Sequence, residues 1–295
     1  MKELKPFQDG LSNLAKNLQF RRHTNQFQAK LKEDLEEIKR DDRVIIAADK
    51  TRNHYRIEKA RYIELLNNNI TKDYKKVDNN VTDDITKKDK MVAKELEVED
   101  RLYCTSKRDS FITIKDHKPN YMNNPKCRLI NPCKSELGKV SKQMLAKIVS
   151  VVKEKSHLQQ WKNTDSVIDW FCQLKVKQRL TFIQFDVVNF YGSITPGVLA
   201  DAITFAAKYV SISELEKKTI MQATNSFLCS NGQTWVKKEG GIFDITMGGH
   251  HGAEVCDLIG LYILSQLIEV LPNTGLYRDD GLSVSKEESL QSFSG

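Results

Sequence analysis

What the chain lacks narrows it first. No apolar run approaches the roughly 20 residues that a membrane-spanning helix needs. The longest, Leu258 to Leu271, is interrupted by Ser265, Gln266 and Glu269. The first residues, Met1-Lys2-Glu3-Leu4-Lys5-Pro6, contain no apolar core of a signal peptide. Six cysteines, at 104, 127, 133, 172, 229 and 256, are scattered and form no Cys-x-x-Cys pair. That spacing indicates neither a zinc site nor a disulfide framework. It fits reduced thiols in an intracellular protein, most of them small buried apolar residues.

What is present describes a folded, mildly basic protein. Its 295 residues suffice for one large or two modest domains with real cores. Hydrophobic content of 40% and charged content of 29% belong to a globular chain rather than a disordered one. A net charge of +7 suits a polyanionic partner, although many proteins are mildly basic for other reasons.

In order along the chain, residues 1–40 are expected to be a charged, amphipathic helical lead-in, with Leu11, Leu14, Leu18, Phe27, Leu31, Leu35 and Ile38 at helical spacings. Arg43 to Thr51, a short apolar run ending in a polar turn, reads as a buried strand, and Glu58 to Asn67 as a helix. Residues 68–90, rich in Asn, Asp, Lys and Thr, read as a surface connection, with Lys87 to Lys90 a solvated face. Phe111–Lys115 and Cys127–Ile130 read as paired strands joined by a projecting loop. A helix follows with Leu137, Val140, Met144, Ile148 and Val151 on one stripe. Pro196 opens another at its first position. Ser211 and Glu214 have capping-box spacing for a third. Asn231-Gly232 marks a hairpin. Phe243 to Gly252 is a glycine-rich turn feeding a nearly all-apolar helix to about Val270.

Two acidic stretches carry chemistry. Thr181 to Ile194 is an apolar strand with Asp186 at its C-terminal end, then a turn. Gly275 to Val284 is a hairpin with Asp279-Asp280-Gly281 at its tip. Adjacent carboxylates on a tip repel each other and are neutralised by a divalent metal or left to solvent. Taken alone, Asp186 reads equally as a strand-end cap, and the hairpin as a solvated turn.

Taken together, these stretches resemble the reverse transcriptases. Phe185-Asp186-Val187-Val188-Asn189-Phe190-Tyr191 looks like the first palm motif of that family, Met247-Gly248-Gly249 like the turn of the second, and Tyr277-Arg278-Asp279-Asp280 like the third. Ile114 to Pro119 and Cys127 to Pro132 are similar to the two basic fingers motifs. Ala48-Asp49-Lys50-Thr51 with Tyr55, Tyr62 and Tyr74 looks like the N-terminal segment of Penelope-like retroelement polymerases. The likeness covers about residues 40–286.

The resemblance implies an α+β fold, the fingers and palm of a right-hand polymerase with an antiparallel palm sheet. Residues 1–40 would be a helical lead-in, 41–180 fingers and 181–295 palm. The family continues with a thumb, so the expected architecture here is one without it. The implied activity is RNA-directed DNA polymerisation of a mobile element. Its cofactor would be Mg²⁺ (or Mn²⁺), and its partners an RNA template, a DNA primer and deoxynucleoside triphosphates, without a membrane. Asp186 and Asp279 would be the bridging metal ligands, Asp280 an assistant, and the Val187 carbonyl a neutral ligand. Lys115 and Arg128 would grip the triphosphate, with Lys118 the competing choice for the lysine and a solvated basic loop the alternative. Tyr191 would stack under the sugar and exclude a 2′-hydroxyl; core packing is its alternative. Gly248 and Gly249 would let backbone approach the template base or nucleotide. Synthesis at a chromosomal target would place the protein in the nucleus, though no sorting signal says so. His250-His251 stands where the family has Ser-Pro, and no third ligand accompanies it. Arg278 is bulkier than usual for its place. The rival readings are a non-catalytic nucleic-acid-binding remnant of the domain and an RNA-dependent RNA polymerase.

Overall fold

The structure, a computed structural model, describes residues 5–18, 25–101, 107–174 and 180–286. The lead-in is helical as expected, as α1 (Lys5–Asn17) and α2 (Gln26–Arg40), and neither helix buries a side chain. Residues 19–24 lie outside the description. β1 (Arg43–Ala47) and β2 (His54–Glu58) form an antiparallel hairpin.

The stretch read as a surface connection is instead ordered. α3 (Lys59–Asp73) runs on past Asn67 into β3 (Tyr74–Val77), and α4 (Asn80–Glu95) follows. The apolar side of α4 is thin: Val81, Ile85, Val92 and Ala93. Polar groups complete it. Asp89 is only 3% exposed and accepts from the Ser135 hydroxyl (2.6 Å) and the Gln222 amide (2.8 Å). A polar residue satisfied in the core looks like a surface residue to hydropathy, which is why this helix escaped the pattern.

β4 (Phe111–Ile114) and β5 (Cys127–Ile130) pair as expected. In α5 (Leu137–Ser156) the buried stripe is Leu137, Ser141, Leu145, Ile148 and Val152, rotated from the expected one, so Met144 and Val151 are only half-buried. β6 (Gln159–Gln160), α6 (Thr164–Gln173) and β7 (Leu180–Asp186) follow, then the short turn α7 (Phe190–Ser193). α8 (Pro196–Ala206) opens on its proline. α9 (Glu214–Ala223) is capped two residues later than expected, by Ser213 with Glu216, because Ile212 is buried and Ser213 is free to bond. β8 (Leu228–Ser230) and β9 (Gln233–Lys237) turn at Asn231-Gly232, both at positive φ, as a primed two-residue turn requires. α10 (Gly252–Leu267), β10 (Thr274–Tyr277) and β11 (Asp280–Lys286) complete the described chain.

The result is a mixed α and β fold with mainly antiparallel sheets. The central one has the order β6-β10-β11-β7, with only β6–β10 parallel. α10 packs on β6 and β10 and against α5 and α8, and this helical layer is the largest core cluster. A second sheet, β3-β9-β8, joins the N-terminal and middle parts of the chain. A backbone bond from Asp49 to Ile114 (2.8 Å) sets the β1–β2 hairpin beside β4. Of the described cysteines, Cys133, Cys229 and Cys256 are buried, Cys127 is half-buried and Cys172 exposed; all are free thiols. No helix among the described residues is long and apolar enough to cross a membrane.

Candidate functional site

β7 and β11 are antiparallel neighbours, and their register brings Asp186 directly across from Asp280. Residues opposite each other in such a ladder stand about 4.5–5.5 Å apart at Cα and point to the same face. That face carries the rows Asp186–Asp280, Gln184–Leu282 and Phe182–Val284. It is covered by α6 at the Val284 end, through Trp170, and exposed at the aspartates. The loop of the hairpin is not Asp-Asp-Gly as the sequence suggested. Tyr277 pairs with Asp280, leaving Arg278 and Asp279 as the two loop residues, with Arg278 at φ 56°. The first loop position of a primed turn needs a positive φ, and Arg278 supplies it without glycine. Gly281 lies inside β11, where a Cβ would come within 2.2 Å of the Phe185 ring. The glycine therefore serves close packing beside the aspartates.

Asp279 is tied to the same place through its backbone: its carbonyl accepts from the Val187 N–H at 2.8 Å. Asp186, Asp279 and Asp280 are exposed, and none is salt-bridged to a described residue. Among the described residues no three His, Cys, Asp or Glu side chains form a ready-made metal cage. Mg²⁺ does not need one: it takes one or two carboxylates, keeps several waters and uses substrate phosphates. Unpaired hard-oxygen donors facing each other across one ladder rung fit that ion.

A cleft of about 420 Å³ opens beside these strand ends. Lys115 and Arg128 line it from the β4–β5 hairpin, and Asn189 and Tyr191 from the turn after Asp186. Three of the expected nucleotide-binding residues thus meet in one cavity. The aspartates do not line it; Tyr191 connects the two places. Its phenol is pushed up to about 12, first by burial, then by the Cys256 thiol beside it, with Arg278 opposing and Asp279 adding. Lys115 is half-buried, and its pKa is lowered by burial first and then by Arg128. Arg128 bonds Asp49 at 2.9 Å, and Asp49 is almost fully buried. Lys118 is exposed on the hairpin loop and does not line the cleft. That loop is anchored by Asp116, which accepts from Thr51 (2.6 Å), Asn53 (3.0 Å) and Tyr55 (2.9 Å).

The floor of the cleft holds a network that sequence reading missed. The Tyr74 hydroxyl donates to Asp244 Oδ2 (2.6 Å). Lys237 Nζ lies 3.3 Å from Asp244 Oδ1 and donates to the Gly192 carbonyl (3.0 Å). Burial is the leading cause that raises the pKa of both Asp244 and Tyr74. The available signals were an aspartate inside the apolar run Ile242–Ile245 and a lysine closing an alternating strand.

Gly248 takes φ 112°, and a Cβ there would lie 2.5 Å from the Asn131 carbonyl oxygen. The glycine lets the 247–249 turn press against the end of β5, where Asn131 N–H also donates to Met247 O (3.1 Å). His251 is 7% exposed, and neither ring nitrogen meets a hydrogen-bond partner among the described residues.

No protein-family model and no curated protein sequence matches the chain. Solved structures do. The chain shares its fold with telomerase. Against apo telomerase from Candida tropicalis it gives a TM-score of 0.60 at 12% identity, covering 95% of this chain and 56% of that one. The same enzyme truncated from its C-terminal domain gives 0.57 at 14%, covering 84% and 53%. Telomerase from Candida albicans, solved with a fragment of telomeric RNA, gives 0.57 at 10%, covering 92% and 51%. At such identities the likeness is one of fold. The chain spans about half the length of the telomerase chains it matches. The chain therefore has the fold of about half of those telomerase chains.

Proposed function

We propose that this chain is the nucleotide-adding part of an RNA-directed DNA polymerase of a retroelement resembling the Penelope-like group, with fingers over 41–180 and palm from 181. The observation that carries the reading is the Asp186–Asp280 rung, with Asp279 bonded through its carbonyl to the next residue of β7. Asp186, Asp279 and Asp280, with the Val187 carbonyl, would hold Mg²⁺ or Mn²⁺. When bound, such ions lower the pKa of a primer 3′-hydroxyl and neutralise the triphosphate. The like-charged rung is unfavourable by itself, which makes these residues cation-seeking.

The other roles fall to the cleft. Arg128 presents a planar fork to phosphate oxygens and Lys115 a point charge, which makes Lys115 rather than Lys118, outside the cleft, the preferred lysine of the reading. Tyr191 closes the cleft under the sugar, which favours deoxynucleotides. The Gly248 turn would let a template base or nucleotide stack near backbone. RNA template and DNA primer would cross the exposed face at the strand ends.

Primer extension on an RNA template tests the reading. Wild type is expected to add deoxynucleotides in Mg²⁺, and Asp186→Ala, Asp279→Ala and Asp280→Ala are each expected to lower the rate at least 100-fold. Incorporation of ribonucleotides alone identifies an RNA polymerase. Binding of primer–template without extension, unchanged when the chain is extended to the length of its structural relatives, identifies a non-catalytic remnant.

A further inference from the structure

We propose that Lys237 is a positioning residue for sugar selectivity, holding the backbone on which Tyr191 stands; this rests on the nucleotide reading of the cleft. Lys237 closes β9 with its side chain only 15% exposed. Its ammonium group joins two things that are otherwise separate: the Gly192 carbonyl, one peptide beyond Tyr191, and the Asp244 carboxylate. Asp244 is itself 6% exposed and fixed by the Tyr74 hydroxyl. A buried carboxylate is costly unless paired and hydrogen-bonded, and this one has both partners.

The three residues come from β3, from β9 and from the segment leading to α10. None belongs to the turn that carries Tyr191, so they brace that turn from outside. The brace acts where it is needed. The residue after Tyr191 is a glycine, which has no side chain to anchor it, and the turn is a single short helical one. On its other side the Tyr191 ring meets Phe190 at 6.2 Å and the Cys256 thiol of α10. A ring that selects by shape discriminates only as well as its backbone is held; a displacement of about 1 Å is enough to admit a further oxygen. Lys237 thus fixes the height of the ring above the cleft floor, and with it the space left at the sugar 2′ position.

The test compares dGTP and GTP as substrates in primer extension with Mg²⁺, taking the ratio of kcat/KM for the two. Lys237→Met is expected to lower the deoxy preference about tenfold, the loss typical of one charged hydrogen bond. Lys237→Arg is expected to restore most of it. Tyr191→Ala is expected to abolish the preference, and adding Lys237→Met to it should change nothing further. If Lys237→Met does not fold, Tyr74→Phe keeps the buried ring while freeing Asp244, and is expected to move the ratio in the same direction. A preference that survives Lys237→Met but not Tyr191→Ala overturns the role of Lys237. So does a loss of rate shared equally by both sugars. A preference that survives Tyr191→Ala overturns the reading of Tyr191 beneath it. In a chain that does not extend, the ratio is read from dissociation constants of fluorescent dGTP and GTP analogues, and failure to bind either overturns both.

Discussion

His251 is expected to make the chain lose stability on mild acidification. The imidazole is 7% exposed at the start of α10, and burial, with His250 adding to it, pushes its pKa down from 6.5 to about 4. A base whose folded pKa lies below its unfolded value is protonated more readily in the unfolded chain. Its contribution is therefore fully present above pH 6.5 and lost as the pH falls toward 4. A pKa difference of about 2.5 corresponds to about 3 kcal/mol at the acid limit, and about 2 kcal/mol is already lost at pH 5. Asp89, Asp244 and Asp257, whose carboxyl pKas are raised by burial, act in the opposite sense: they favour the fold at low pH and lose that contribution as pH rises. The decisive quantity is thus a difference. Urea unfolding of wild type and His251→Phe at pH 7, 6 and 5 keeps the carboxylates in common. Wild type should lose about 2 kcal/mol more than the variant between pH 7 and 5. Equal slopes would refute a neutral buried imidazole, whatever the absolute stabilities.

Gly281→Ala, which would set a Cβ 2.2 Å from the Phe185 ring, is expected to cost about 1–3 kcal/mol, and Phe185→Leu should recover part of it in a double-mutant cycle of urea midpoints. Arg128→Ala strands Asp49, whose side chain is 4% exposed, and should cost about 3 kcal/mol. Asp49→Asn leaves Arg128 able to reach water and should cost only about 1 kcal/mol; equal losses would show that the pair is solvated. Ser213→Ala should cost about 1 kcal/mol of thermal stability and Ser211→Ala almost nothing, which reads out directly where α9 is capped.

The parts legible in the sequence were those whose signal is local. β7 with its terminal aspartate, the Asn231-Gly232 turn, α8 behind its proline and the apolar α10 are each written in a run of adjacent residues, and each is where the pattern placed it. The carboxylates were legible as a pair of stretches, but not their register. Nothing in Gly275 to Val284 says that the loop is Arg278-Asp279 rather than Asp279-Asp280. Only pairing with β7 and the Phe185 ring against Gly281 decide it. That difference has a chemical consequence, because it makes Asp280 the rung partner of Asp186 and leaves Asp279 in the loop.

What was not legible is what spans distance. Tyr74, Lys237 and Asp244 stand up to 170 positions apart, and nothing in the sequence joins Tyr74 to the other two. The same holds for Asp49 with Arg128, and for Asp89 with Gln222. In every case a polar side chain is buried because a remote partner satisfies it, and hydropathy counts only the burial. Two of these groups, Tyr74–Asp244–Lys237 and Asp49–Arg128, reach the cleft, which Tyr74, Lys237, Asp244 and Arg128 line. Apolar packing is tolerant of exchange, whereas a charged partner is specific in distance and direction. A cleft lined by Arg128, Lys115 and Tyr191 therefore draws on interactions that a linear pattern does not display.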